Sequence, residues 1–529
     1  QKGTLAETQV ETLLYGGKAF SRTDAGQAII VQNPCGVVPG QRLQVRITKT
    51  KSKQCPPESE TATDRRGPPA MEGWSQAVIT PSALQVEPRC QHFGRGCGGC
   101  KTQNLGYPRQ LAEKQMQVEH LYRQANLLDD TAMDQPLHVK PIIGCEESGR
   151  IFNYRNKMEF SVGTSLWTEQ KPPRARKDEL EQAEETLRIG LHAVGRFDKI
   201  VAIDECHLHE PIGNAILKHV EHKAQSLMWE AHDQRKHTGF FRNLMIKTAT
   251  NAKGELEIMV NFVTSPTEVM EPLQELAADL ASKFPSIVSV VLNTTRTLSG
   301  VSAGEREHVL YGRSYIEQIL RGRRFRISAN SFFQPNPRQA EVLYREIERC
   351  AKLTGTEIVV DLFCGTGSIG LCLASKCKKV VGIELVEAAV NDARRNAQVN
   401  GIENAEFLLA DLNDLRKGQG SSQVSSLLRD IDCDVMIVDP PRSGLHPDLI
   451  KRHINVCQPS RLIYVSCNPS SQARDLLLIK SVSPYSVSSV QPVDMFPHTP
   501  HIECVTLLTR RAGNEKEEPP LKDVESVPA

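Results

Sequence analysis

The stretch RLIYVSCNP puts a thiol, Cys467, at the end of a short apolar run and two residues before a proline that cannot continue a central strand. A cysteine that only packs sits inside such a run as a small hydrophobe. A lone cysteine without a C-x-x-C partner is a poor metal ligand. A thiol that closes a strand is placed to attack. Further on, HIECVTLL embeds Glu503 in an otherwise apolar strand. A carboxylate there needs a partner or a raised pKa, which suits a general base and also a structural ion pair. VDPPRSG (438–444) holds Asp439 in a stiff Pro-Pro loop, the support a carboxylate needs to keep a substrate in one geometry. In VVDLFCGTGSIG (359–370) a buried strand carrying Asp361 opens into a turn with glycines at 365, 367 and 370. These glycines let the backbone bend tightly and come close to a ligand. Seventeen residues after Gly367, in VVGIEL, the next strand ends in Glu384, where an acid can accept hydrogen bonds from ribose hydroxyls. Acids capping helices at strand ends would give the same pattern.

The elements that must carry these residues follow from periodicity. From about residue 340, the helix RQAEVLYREIERCAKL is followed by EIVVDLF, KKVVGIEL, AEFLLAD, CDVMIVDPP and RLIYVSC, apolar strands alternating with helical stretches. That alternation predicts an α/β, doubly wound, mostly parallel sheet over 331–512. Cys467, Gly365, Glu384 and Asp439 then share the carboxyl edge. Residues 140–330 read as a central β-rich domain, with strands such as RNKMEFSVG, NLMIKTAT and LEIMVNFV and a charged insert, EQKPPRARKDELEQAEETLR. Residues 5–89 read as short strands and turns, a small closed barrel of the OB type, interrupted by a loop, QCPPESETATDRRGPPAMEG, expected to be disordered. Between them, 90–139 holds a cysteine cluster and a helical linker, and the tail 513–529 is polar and expected to be disordered.

With 529 residues, 39% apolar and 24% charged, and no apolar run near the ~20 residues of a membrane helix, the chain reads as a soluble multidomain protein. No membrane partner is expected. The net charge of +1 gives no global pull toward nucleic acid, but 41–53 carries five positive charges and RGRRFR (321–326) four arginines. Such stretches suit a polyanion and equally a solvated strand edge. Fifteen cysteines in a chain this long point to a reducing, intracellular compartment, cytoplasm or organelle. The chain opens on QKGTLAETQ, without Met, as expected of a processed or partial chain.

Asp361 with its glycine turn, and LLAD ending in Asp411, resemble the first and third motifs of class I S-adenosylmethionine-dependent methyltransferases. A methyl transfer needs a thiol when the acceptor is an unactivated ring carbon. Thiolate addition at pyrimidine C6 makes C5 nucleophilic, and a base must then remove the C5 proton. FRISANSFFQPN, DLFCGTGSIG, VDPPRSGL, SCNPSSQARDL and DMFPHTPHIE together resemble the RNA uracil-C5-methyltransferase family, which makes 5-methyluridine. The resemblance implies S-adenosyl-L-methionine as cofactor, Cys467 as nucleophile and Glu503 as base. It also implies that Gln334, Phe363, Ser368, Glu384, Asp411 and Asp439 contact the cofactor or the target base, beside the glycines at 365 and 367. Ser471 stands where the family often has Thr. The N-terminal segment is similar to the RNA-binding TRAM domain.

Cys90, Cys97, Cys100 and Cys206 resemble the family's [4Fe–4S] ligands, with six residues rather than the usual five between the first two; zinc or free thiols are the alternatives. The implied partner is structured RNA, ribosomal ahead of transfer RNA, for an enzyme with no obligate protein partner, expected to be a monomer. A cytosine-C5 methyltransferase and a noncatalytic RNA-binding factor on the same scaffold are the rivals.

Overall fold

The computed structural model describes residues 2–32, 36–50, 71–128, 137–146, 149–168, 186–267, 270–297, 304–412, 428 and 431–511. Residues 54–70 of the interrupting loop, 169–185 of the charged insert and the 513–529 tail lie outside the described residues.

Five strands close a barrel in the order β1-β2-β3-β5-β4: β1 (Leu5–Leu14), β2 (Lys18–Arg22), β3 (Ala28–Gln32), β4 (Arg42–Thr50) and β5 (Met71–Thr80). Strand β5 starts at Met71, inside the stretch expected as loop. Alternate residues (Leu43, Val45 and Ile47 of β4, Ile29 and Val31 of β3) turn inward to form the barrel core. Their neighbours face out: Arg42 pairs with Glu7 and Asp24, and Lys49 with Glu72, so part of the basic stretch is balanced locally.

Helix α1 (Tyr107–Gln124) follows, in the segment expected as a cysteine cluster and linker. Its Val118 and Tyr122, with Leu127 and Leu128, lie in the same core as Leu462, Tyr464, Leu476 and Ile479 of the C-terminal sheet and its helices. On another face Glu113, nearly fully buried, accepts hydrogen bonds from Leu13 N (2.9 Å) and Thr12 Oγ1 (2.9 Å). The helix therefore clamps the barrel to the C-terminal domain.

The central sheet has seven strands in the order β12-β11-β10-β9-β6-β7-β8. These are β6 (Lys157–Gly163), β7 (Arg188–His192), β8 (Ile200–Ala202), β9 (Phe241–Thr250), β10 (Leu256–Thr264), β11 (Ile287–Thr294) and β12 (Arg306–Gly312). Two helices that the strand reading passed over, α2 (Pro211–Ser226) and α3 (Glu271–Lys283), pack on it. Ile216, Leu217 and Val220 of α2, at helical spacing, and Leu273, Leu276 and Leu280 of α3 meet Ile258, Val260 and Phe262 of β10. Met259, on the opposite face of β10, joins the C-terminal core through the hairpin β13 (Tyr315–Leu320) and β14 (Arg323–Ser328). Within RGRRFR, Arg321 pairs with Glu348, and Arg324 and Arg326 with Glu317. Most of that cationic run serves the fold.

The C-terminal sheet follows the order β17-β16-β15-β18-β19-β21-β20. Strands β15 (Ile358–Leu362), β16 (Lys379–Glu384), β17 (Ala405–Leu409), β18 (Val435–Val438) and β19 (Arg461–Ser466) run parallel; β21 (Glu503–Arg510) is antiparallel to β19 and to β20 (Tyr485–Val493). Helices α4 (Pro337–Ala351), α5 (Ser368–Leu373), α6 (Glu387–Val399) and α7 (Pro469–Val482) supply the crossovers and cover. The doubly wound sheet expected from the alternation is present. Among the described residues no helix is long and apolar enough to cross a membrane.

Candidate active site and cysteine-lined cavity

Parallel strands bring their carboxyl ends to one edge, so the loops after β15, β16, β17, β18 and β19 converge there. Phe363 follows β15 with φ +62°, and Gly365 (+54°) and Gly367 (+75°) continue the left-handed turn. A Cβ at Gly365 would meet nothing within 4 Å, so this side of the turn is open; at Gly367 it would lie 2.8 Å from the Phe407 ring. Gly365 N donates to Glu384 Oε2 (3.0 Å), while Leu385 N and Val386 N donate to Oε1 (2.8 and 2.9 Å). The carboxylate is thereby fixed in orientation with lone pairs to spare. Asp361 is fully buried; its Oδ2 accepts from Gly370 N (3.2 Å), and among the described residues Oδ1 has no partner. Burial, then Asp439 and Glu384, push its carboxyl up to about 8, against the Gly370 N–H. An open glycine cradle, an aimed acid and an orphaned buried oxygen fit a polar nucleoside cofactor.

Ser368 Oγ and Tyr344 Oη share a hydrogen bond of 2.6 Å at the start of α5. Asp411 lies half-buried just past β17. Strand β17 stands four strands from β19, roughly 19 Å at about 4.8 Å per strand, so Asp411 lies at the Glu384 end of the edge, away from the thiol. Gln334 is on the loop before α4, held through its carbonyl by Asn156 Nδ2 (3.1 Å). Two residues earlier, Phe332 is exposed between buried Ser331 and Phe333.

At the thiol end, β19 pairs with β21 up to Ser466–Cys504, so Cys467 follows the last paired residue of β19 and Glu503 precedes its partner on β21, the two within electrostatic reach of each other. Pro469 opens α7, and Asn468 caps it, its Oδ1 accepting from Ser470 N (3.1 Å) and Ser471 N (3.4 Å). Asn468 Nδ2 donates to Arg442 O (2.8 Å), tying the cap to the loop that carries Asp439. Burial, then Glu503 and Asp439, push the half-buried Cys467 thiol up to about 11, while the Arg442 guanidinium beside it pulls it down. Glu503, 4% exposed, is pushed up to about 8 by burial and Asp439. Desolvation raises Asp439 to about 7. Burial and Arg442 hold His501 down at about 4, leaving a neutral imidazole 3.4 Å from Arg442 Nη2. Cys467, Glu503 and Asp439, singled out by type and spacing, thus meet in one place. Arg442, three residues after Asp439 in the same motif, was missed, although a cation beside a candidate thiolate is a signal the sequence carries.

The loop 494–503 leading to Glu503 is gripped from several sides. Asp494 takes a buried ion pair from Lys114 (2.6 Å) and a hydrogen bond from Tyr107 Oη (2.9 Å), both on α1. His498 O accepts from Lys101 N (2.9 Å) and Thr102 N (3.2 Å), immediately after Cys100. Tyr154 Oη donates to Pro497 O (3.0 Å), and Phe152 stacks on His498 at 4.2 Å.

Cys90, Cys97, Cys100 and Cys206 all line one cavity of about 180 Å³, with His92, His207 and Arg155. Gln103 orders it, accepting from Cys90 N (3.1 Å) and donating to Cys100 Sγ (3.3 Å). Burial raises the thiols of Cys90, Cys100 and Cys206. Among the described residues no three His, Cys, Asp or Glu side chains close tightly enough around one point to hold a single ion. Four thiols around one cavity are a donor set of the kind that a [4Fe–4S] cluster or zinc takes.

A family model described as tRNA (Uracil-5-)-methyltransferase matches residues 286–511. An uncharacterized RNA methyltransferase of Chlorobaculum tepidum is 34% identical over 513 residues, 96% of this chain and 97% of that one. One from Caldanaerobacter subterraneus subsp. tengcongensis is 34% identical over 512 residues, 96% and 99% of the two chains. Among solved structures, the Pyrococcus abyssi tRNA (uracil-54, C5)-methyltransferase in complex with S-adenosyl-L-homocysteine is 26% identical, with a TM-score of 0.64 over 95% of this chain and 99% of that one.

Proposed function

This chain belongs to the RNA uracil-C5-methyltransferase family and is an S-adenosylmethionine-dependent RNA methyltransferase with a class I catalytic domain, and from that premise we propose that it methylates uridine C5 in structured RNA through a covalent Cys467–C6 adduct. The observation that carries the proposal is Cys467 at the carboxyl edge of the sheet, within electrostatic reach of Glu503 and Asp439 and beside Arg442.

The target base must leave its stack to expose C6, at a cost of about a few kcal/mol. Arg442 stabilises the Cys467 thiolate, which adds to C6 and shifts electron density to C5. The Gly365–Gly367 turn, Glu384 and Asp411, with Phe363, Ser368 and Gln334 around them, would hold the cofactor, which would supply an electrophilic methyl group that bonds to C5 as its bond to the sulfonium sulfur breaks, leaving S-adenosylhomocysteine. Asp439, stiffened by its two prolines, orients the base. Glu503 then takes the C5 proton. The C5–H electron pair re-forms the C5–C6 double bond, the C6–S bond breaks and the thiolate leaves. A carboxyl near 8 is a competent base for that step, since a general base works best with a pKa near the operating pH.

A 5-fluorouridine RNA tests this, because fluorine at C5 cannot be removed as a proton. The wild-type protein should form a denaturation-resistant adduct and Cys467→Ala none; an adduct that survives in Cys467→Ala would sink the proposal.

The barrel ahead of a four-cysteine set leads us to place ribosomal RNA first as substrate, with the barrel acting as a TRAM-like RNA-binding module. Transfer RNA is the second reading, favoured by the Pyrococcus abyssi enzyme, which is a tRNA (uracil-54, C5)-methyltransferase. Mapping 5-methyluridine in both RNA pools after gene deletion separates them. Cys90, Cys97, Cys100 and Cys206 would hold a [4Fe–4S] cluster, which when bound cross-links the 90–100 segment to the central domain. About four irons per chain, lost in Cys100→Ser, is the expected analysis. The cysteine usage supports a reducing intracellular compartment.

A further inference from the structure

Tyr15 stands at the end of β1, in the turn to β2, yet packs against the C-terminal core. Its hydroxyl donates to the main-chain carbonyl of Cys467 at 3.2 Å, across 452 residues of sequence. We propose that Tyr15 is a positioning residue for the nucleophile, delivered by the barrel: its hydroxyl fixes the backbone of Cys467 so that Sγ is aimed at C6 of the target uracil. The inference rests on the reading of Cys467 given above.

Cys467 occupies the one residue between the last β19 position, Ser466, and the cap of α7, Asn468. Around it the neighbouring groups are already engaged. Ser466 Oγ accepts from Asn468 N (3.1 Å) and donates to Asn468 O (3.1 Å); Ser471 Oγ donates to Asn468 O (3.0 Å) and to Arg442 O (3.1 Å). The Cys467 carbonyl lies between a ladder that has ended and a helix that has not begun, and the barrel supplies its donor. A nucleophile's reach depends on its χ1 and on the ψ of its own residue, so a donor on its carbonyl sets the attack geometry without touching the sulfur.

The turn that carries Tyr15 is itself anchored to the catalytic side. Gly17 would bring a Cβ to 3.6 Å from both Lys101 and Pro500, and Leu13 N is held by Glu113 of α1. Tyr15 also lies within electrostatic reach of Glu503 and Arg442. Seating of the barrel, the module expected to hold the RNA, is thereby mechanically continuous with the nucleophile. Displacement of the barrel would release the Cys467 carbonyl.

The test compares wild type, Tyr15→Phe and Tyr15→Ala in single-turnover adduct formation with 5-fluorouridine RNA. RNA affinity is measured separately on a Cys467→Ala background, where no adduct forms. Tyr15→Phe keeps the ring packing and removes only the hydroxyl. It should slow adduct formation about tenfold, the loss expected for one partly buried hydrogen bond, with RNA affinity within about twofold of its parent. Tyr15→Ala should slow it further and weaken RNA binding, because the barrel then loses its seat. Adduct formation at the wild-type rate in Tyr15→Phe would overturn the proposal, as would a rate loss matched by an equal loss of RNA affinity. Absence of an adduct in the wild type would instead overturn the reading of Cys467 itself.

Discussion

Replacing Glu503 with glutamine should make the protein more stable and nearly inactive at once. An ordinary glutamate titrates near 4.5, whereas burial and Asp439 lift Glu503 to about 8. The folded pKa lies above the unfolded one, so the fold favours the protonated acid. That contribution is intact below about 4.5 and is lost as pH rises through about 8. At about 1.4 kcal/mol per pH unit, the ionised side chain costs the fold up to about 5 kcal/mol at pH 8. Glutamine keeps the volume and carries no charge, so Glu503→Gln should gain a few kcal/mol in denaturant unfolding at pH 8, about the same scale, and almost nothing below about pH 4.

Its chemistry should move the other way. Losing a general base lowers the step by about 10²–10⁴-fold. RNA labelled with tritium at uridine C5 should release label at that reduced rate, while a methylated protein–RNA adduct accumulates. In the wild type only about a tenth of the carboxyl is ionised at pH 7, so proton release should climb about tenfold per unit below that and level off above 8. Two results would refute the reasoning: wild-type tritium release in Glu503→Gln, or a loss of stability at pH 8, which would mean that Glu503 serves as an ion-pair partner of Arg442.

Glu384→Ala should weaken S-adenosylhomocysteine binding about 10–100-fold by calorimetry, the worth of a hydrogen-bonded carboxylate, and an unchanged Kd would remove it from the cofactor site. Gly367→Ala forces a side chain into a φ of +75° and to within 2.8 Å of Phe407, and should cost about 1–3 kcal/mol in unfolding while abolishing cofactor binding. Lys114→Met leaves Asp494 buried without its ion-pair partner and should destabilise by about 3–5 kcal/mol, with the Lys114→Met/Asp494→Asn double variant recovering part of that loss.

The sheet and most of its edge were legible in the chain because their signals are local. A buried apolar run ended by Gly-x-Gly or Asp-Pro-Pro encodes strand, turn and ligand side within about ten residues, and parallel pairing then forces the strand ends together. Cys467 and Glu503 stood out because a thiol that closes a strand and an acid in an apolar strand are unusual as packing alone. Helices α2 and α3 were passed over because their apolar positions lie among stronger strand signals.

What the chain alone left undecided is which distant groups share a site. The arginines of RGRRFR read equally as a polyanion surface and as a solvated strand edge, and in the fold Glu317 and Glu348, brought beside them by the hairpin and α4, neutralise most of them. Helix α1 read as part of a linker until its Val118 and Tyr122 were found in the catalytic core. Arg442 reaches the thiol only because β18 and β19 are neighbours, and Tyr15 only because α1 holds the barrel against the loop before Glu503. Local sequence sets backbone conformation and side-chain type over a few residues. The partners of a buried donor or charge are set by which surfaces pack, and that is a property of the folded chain.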